Sequence, residues 1–233
     1  SLTLLLLSLF RNSSPQTAAL ANFHSTANAI EKFQYDLKDM VFVVDDYHPS
    51  SLGDKKQMDM LAQRLSRGSG DHASRKRLNN DSTLKSSYIP RCLTIVTGED
   101  TPDITRSGLA RFFFVTLRQG DIDKDKLSEL QDKSKFLNDA MSSYIRFLIC
   151  QSEILPGALK KIFIERRELA SKKNQHGRTS SNIAWLYCGV HMFYECLCYY
   201  NLITLEQAES EKEYAWVTFL DSSDAQTKEL FDE

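Results

Sequence analysis

Two adjacent carboxylates, Asp45 and Asp46, follow the unbroken apolar run Met40-Val41-Phe42-Val43-Val44. A run this short and β-branched, without alternation, predicts a strand buried on both faces, as in a parallel sheet. Open α/β sheets gather their ligand chemistry at the carboxyl ends of such strands. Paired acids there suit a divalent cation: Asp45 would hold Mg²⁺, and Asp46 would polarise an attacking water. The plain alternative is a strand ending in a solvated Asp-Asp turn.

P-loop ATPases build their Walker B element as strand-then-acid, and Asp45-Asp46 fits that pattern. Its counterpart is GxxxxGK[ST], a glycine-rich loop whose amides and Lys hold phosphates. The chain does not contain it, since none of its nine glycines precedes Lys-Ser or Lys-Thr. The opening Ser1-Leu2-Thr3-Leu4-Leu5-Leu6-Leu7 has the character of the apolar helix that follows a P-loop. The loop is therefore expected just upstream, in an N-terminally truncated chain. Ser1 is then either its Mg²⁺-binding hydroxyl or the next residue, and an ordinary buried helix is the alternative. Thr97 ends a second apolar run, Cys92-Leu93-Thr94-Ile95-Val96, and suits the sensor position that helps place water near the γ-phosphate. Arg111, before Phe112-Phe113-Phe114-Val115-Thr116-Leu117, suits an arginine finger at a subunit boundary. Arg106 is its rival, and a structural salt bridge the alternative for either.

Between residues 64 and 91 the charge becomes locally basic: Arg64, Arg67, Arg75, Lys76, Arg77, Lys85 and Arg91 stand against Asp71 and Asp81. A hairpin turning at Asn79-Asn80-Asp81 would let Arg75, Lys76, Arg77 and Lys85 contact the phosphates of single-stranded DNA. No aromatic is interleaved before Tyr88, so base stacking is not expected from the sequence. A solvated basic loop is the alternative.

These residues need a scaffold. At 233 residues and 42% hydrophobic, the chain can bury one large core or two modest ones. A net charge of −2 and a pI near 6.2 exclude a globally basic nucleic-acid binder. Five cysteines without CxxC spacing read as buried free thiols in a reducing, cytoplasmic compartment, and a zinc site is not expected. The apolar N-terminal stretch is too short to span a bilayer and lacks a basic leader, so no membrane partner is expected. Helices are predicted over Leu2–Phe10, from Ser25 or Thr26 to Leu37, and over Lys55–Leu65; strands over 40–44, 92–96 and 112–117. Beyond a boundary at 118–123 the chain reads as all helical. An amphipathic segment over 124–150 carries Phe136, Leu137, Met141, Tyr144, Ile145 and Leu148. Helices over 159–171 and 183–200 follow, the latter capped by Ser180 or Ser181, and a last one starts at Leu205. His176-Gly177-Arg178 reads as a surface loop.

Ser25-Thr26-Ala27-Asn28-Ala29-Ile30-Glu31, Val43-Val44-Asp45-Asp46 and Thr97-Gly98-Glu99, in this order, resemble the helicase-like P-loop ATPases of bacterial mobile elements and phages. These include domain-of-unknown-function family 927 and primase-polymerase-associated ATPases. The hairpin with its Asp-Asp pair is also similar to superfamily 3 helicases. The resemblance covers residues 1–118, and more loosely His176-Gly177-Arg178 with the helix after it. It implies an α/β fold: a partial P-loop NTPase (AAA+/RecA-like) core with a parallel sheet over 1–118, then an α-helical C-terminal domain over 119–233. It also implies ATP, Mg²⁺, a homo-oligomeric ring and action on DNA in replication. Two rivals stand beside an ATP-dependent motor: a non-catalytic DNA-binding or assembly module, and a two-carboxylate metal nuclease with Glu99 as its third acid.

Overall fold

A computed structural model describes residues 2–10, 20–74, 76, 78–84, 86–173 and 177–231. The chain is mixed α/β and divides into two compact units, one formed by residues 1–109 with 125–138, the other by 110–124 with 139–233.

The first unit is built on a three-stranded parallel sheet in the order β1-β2-β3. Its strands are β1 (Leu20–Asn22), β2 (Val41–Tyr47) and β3 (Leu93–Gly98). Leu20 pairs with Val43 and Asn22 with Asp45 on one side of β2, and Val41 to Val44 run beside Leu93 to Val96 on the other. Central placement explains the unbroken apolar run, since Phe42, Val43 and Val44 are all fully buried. Helix α1 (Leu2–Ser8) precedes β1 and buries Leu5, while Leu2 and Leu6 stay partly in solvent, so it is a partly covered helix and not the buried one expected.

Helix α2 (Ala27–Asp36) starts at Thr26, whose hydroxyl accepts the Ala29 amide at 3.3 Å. Helix α3 (Leu52–Asp71) starts at Ser51, with Asp54 reaching back to Ser50. Ile30 from α2 and Met58, Leu61, Ala62 and Leu65 from α3 join Phe23, Phe42, Val44 and Tyr47 in one core. The buried Gln34 amide ties this core together, donating to Thr94 Oγ1 at 2.8 Å and Ser69 Oγ at 3.2 Å. Of the predicted hairpin, the described residues show a turn closed by one antiparallel bridge, Leu78 to Leu84. Asp81 accepts the Thr83 amide and hydroxyl there, which holds its carboxyl below the usual range. A short helix, α4 (Arg106–Leu109), follows β3.

The apolar run at 112–117 is not a strand. It belongs to the second unit, where the Gln226 side chain occupies its backbone, accepting from the Phe114 amide and donating to the Phe112 carbonyl. Phe113 meets Phe219 edge-on at 5.8 Å. A glutamine amide thus offers the donor and acceptor that a neighbouring strand would otherwise supply.

The segment at 124–150 forms two helices, α5 (Lys124–Asp132) and α6 (Ser134–Cys150). Phe147 is the buried residue of α6; Leu137, Met141, Tyr144 and Leu148 of the predicted stripe are half-buried, Tyr144 and Leu148 against the Phe147 cluster, whereas Phe136 and Ile145 are exposed. Helices α7 (Leu155–Ser171), α8 (Gly177–Tyr199) and α9 (Leu205–Phe231) complete the chain. Helix α8 begins before the expected caps: Ser180 is buried inside it and Ser181 donates back to the Gly177 carbonyl at 3.0 Å. Ile183, Tyr187, Trp216 and Leu220 form one core of this unit, and Phe147, Met192 and Cys196 another. All five cysteines are free, and among the described residues no helix is long and apolar enough to cross a membrane.

Candidate functional site

The carboxyl ends of the three parallel strands bring together Asn22, Asp45, Asp46 and Thr97. Asp45 and Asp46 do not terminate β2, as the sequence suggested. They form a bulge within it, where the register with β3 breaks between Val44 and Tyr47. Asp46 takes the left-handed conformation at φ 67°, which Asp tolerates better than most residues. The strand then resumes at the buried Tyr47. A bulge re-aims side chains, and here it leaves Asp45 half-buried and Asp46 exposed.

Thr97 fixes this geometry. Its hydroxyl donates to Asp45 Oδ1 and accepts the Asp46 amide at 3.2 Å. One side chain from β3 therefore holds both members of the acidic pair. Among the described residues, no other hydrogen bond or ion pair engages the Asp45 or Asp46 carboxylate. Gly98 allows the strands to close here, because a Cβ would lie 2.7 Å from Tyr47 Cβ and 2.8 Å from its carbonyl oxygen.

Tyr47 anchors the bulge from below. Its hydroxyl donates to Asp59 Oδ1 at 2.6 Å, and the same oxygen accepts the Asp103 amide at 2.8 Å. Lys55 bridges Asp59 and Asp103 at 3.1 and 3.4 Å. Burial, and then the Asp59 carboxylate, push the Tyr47 phenol well above its ordinary value, so it stays a neutral donor. Around the rim, His48 Nδ1 lies 3.1 Å from Glu99 Oε2, and Asn22 Oδ1 accepts the His24 amide and the Ser25 hydroxyl.

Sequence reasoning missed Asn22, Tyr47, Asp59 and His48. A three-residue strand carries no periodicity to mark Asn22. A tyrosine after two acids likewise does not announce that the strand continues.

The site is chemically suited to a hard divalent cation, which takes one or two carboxylates and completes its shell with water. The amino ends of α2 and α3 both follow strands at this edge of the sheet and favour negative charge nearby. Glu99 lies at the rim beside exposed His48, and among the described residues no group of three or more His, Cys, Asp or Glu could hold a metal.

Arg111 is half-buried in the second unit and Arg106 is exposed in α4, and each is engaged in interactions of its own. Lys76 is exposed beside the Leu78–Leu84 turn. Ser1, Arg75, Arg77, Lys85 and His176 lie outside the described residues. Comparison with known families, curated proteins and solved structures finds no match for this chain.

Proposed function

We propose that the chain is the motor portion of a helicase-like P-loop ATPase acting on DNA during replication of a mobile element. One observation carries this reading. An acidic pair bulges from the central parallel strand and is held by a threonine from the neighbouring strand. In such a site Asp45 would hold Mg²⁺ with ATP, and the cation would neutralise charge on the phosphates. Thr97 commits its proton to Asp45 and its lone pair to the Asp46 amide, which fixes both acids without occupying Asp46. The exposed Asp46 carboxylate is then free to accept a hydrogen bond from water and orient it.

The outer edge of β3 pairs with no described strand, and Thr97 stands beside it. A phosphate-binding loop carried by a further parallel strand there would complete the site. Arg111 would act across a subunit interface of a homo-oligomeric ring, and the basic segment from Arg75 to Lys85 would grip single-stranded DNA.

The test is ATP hydrolysis by the full-length protein. Asp46→Asn should slow hydrolysis about a hundredfold or more while ATP still binds. Wild-type turnover in that variant would overturn the reading.

A further inference from the structure

On the edge of the sheet opposite Asp45 and Asp46, two tyrosines and two cations that are distant in sequence come together. Tyr35 and Lys32 come from the last turns of α2; Tyr88 and Arg91 come from the segment that leads into β3. The Tyr35 and Tyr88 ring centroids are 5.4 Å apart, inclined at 59°. The Arg91 guanidinium lies 3.8 Å from the Tyr35 centroid, and Lys32 Nζ lies 5.0 Å from that of Tyr88 and 5.6 Å from that of Tyr35.

The group is held in place by backbone. Arg91 donates from Nε and Nη2 to the Tyr35 carbonyl at 2.8 and 2.6 Å. Its amide donates to the Gln34 carbonyl, and its own carbonyl accepts the Asp39 amide, each at 3.0 Å. Both rings remain half-exposed, and Arg91 and Lys32 are exposed. Lys32 pairs with Asp36 at 2.5 Å and Lys38 with Asp39 at 3.4 Å, so the lysines are oriented but stay in solvent.

We propose that Tyr35, Tyr88, Arg91 and Lys32 form a stacking platform for single-stranded nucleic acid. The inference rests on the DNA-binding part of the reading above and deepens it. Unstacked bases bind aromatic faces and guanidinium planes, while cations beside them meet the phosphates. Duplex DNA keeps its bases stacked on each other and offers no such faces. The platform also supplies what the sequence lacked, because Tyr35 lies far outside the basic segment and meets Tyr88 only in the fold.

The test is fluorescence anisotropy of a labelled thymidine oligonucleotide with the full chain and no nucleotide present. The Tyr35→Ala/Tyr88→Ala double variant should bind roughly tenfold more weakly with an unchanged salt slope. Tyr88→Phe should bind as wild type, and Lys32→Gln should lower the slope of log affinity against log salt by about 0.7. Circular dichroism melting separates lost binding from lost folding. As a second readout, a bromodeoxyuridine oligonucleotide should crosslink the wild-type protein within residues 32–38 or 86–91. Absent binding, equal affinity for duplex, an unchanged folded double variant, or crosslinks confined elsewhere would each overturn the proposal. Because nucleotide is absent, ATP hydrolysis and the Asp46→Asn result stand or fall separately.

Discussion

The two units differ in where their most prominent charged groups lie. In the first, apolar strands fill the interior and the acidic pair sits at the sheet's end, with Asp46 in solvent. In the second, a cation is fully enclosed: Lys212 is 1% exposed and bonds Glu195 at 2.6 Å and Glu209 at 2.9 Å. Arg166 lies over the Tyr187 ring and donates to its hydroxyl at 2.9 Å, with Trp216 alongside. Exposed acids held by one hydroxyl can take a cation with little desolvation. A buried ammonium already satisfied by two carboxylates has no such freedom and serves to fix how α8 meets α9. The contrast is between an acidic pair open to solvent in the first unit and a charge network satisfied within the second.

The sharpest way to break this contrast is to attack each interior with the same tool. Phe42→Ala should cost about 3–5 kcal/mol, because it removes a fully buried ring from the central strand. In the second unit, Glu195→Ala with Glu209→Ala should cost about 3 kcal/mol, because it strands the Lys212 ammonium. Lys212→Met should cost much less, since both carboxylates can then hydrate. Urea unfolding followed separately in each unit would measure all three. Equal costs for removing the acids and removing the lysine would contradict the buried-cation account.

Gly98→Ala should destabilise the first unit by about 1–3 kcal/mol, because the new methyl meets Tyr47 main-chain and side-chain atoms inside 3 Å. Its effect on the site should exceed its effect on stability, since the bulge must shift. Tyr47→Phe is gentler, at about 1 kcal/mol, because Asp59 keeps Lys55 and the Asp103 amide as partners.

Acid should separate the units with the smallest effect of all. Burial, and then the Lys212 charge, lower the His191 pKa below its ordinary 6.5, with Glu195 and Glu209 opposing and Arg166 adding to the depression. A folded-state value below the unfolded one gives stability that is complete above pH 6.5 and is lost as pH falls through the folded value. In the first unit, the Ser50 amide holds Asp54 below 3.8, so its contribution persists until pH falls below that value. Amide hydrogen exchange at pH 5 should therefore show loosening around His191 and not around Asp54. The reverse order would contradict the placement of charge described here.

How far the sequence reached follows the same physics. The central strand was legible because Phe42, Val43 and Val44 need no alternation when both faces are covered. Helices α2 and α3 were legible from apolar spacing, and Thr26 as a cap of α2; α3 starts at Ser51, ahead of the Lys55 expected, because a cap serine looks like any loop serine. The run at 112–117 misled because it is as apolar as a strand, yet finds its backbone partner in a glutamine more than a hundred residues away. Strand β1 was invisible because three residues cannot show a period. The acids and Thr97 could be named in advance, but the hydroxyl bridge between them depends on strand register and a bulge, which no local pattern encodes.

The central claim is that the Asp45–Thr97–Asp46 arrangement holds a divalent cation with a nucleotide phosphate. The most direct measurement replaces Mg²⁺ with Fe²⁺ in the full-length protein with ATP and maps backbone cleavage after adding ascorbate and peroxide. Cuts beside residues 45–46 and 97 that disappear in Asp45→Asn are the expected result. No cuts at those positions, or the same cuts in Asp45→Asn, would contradict the account.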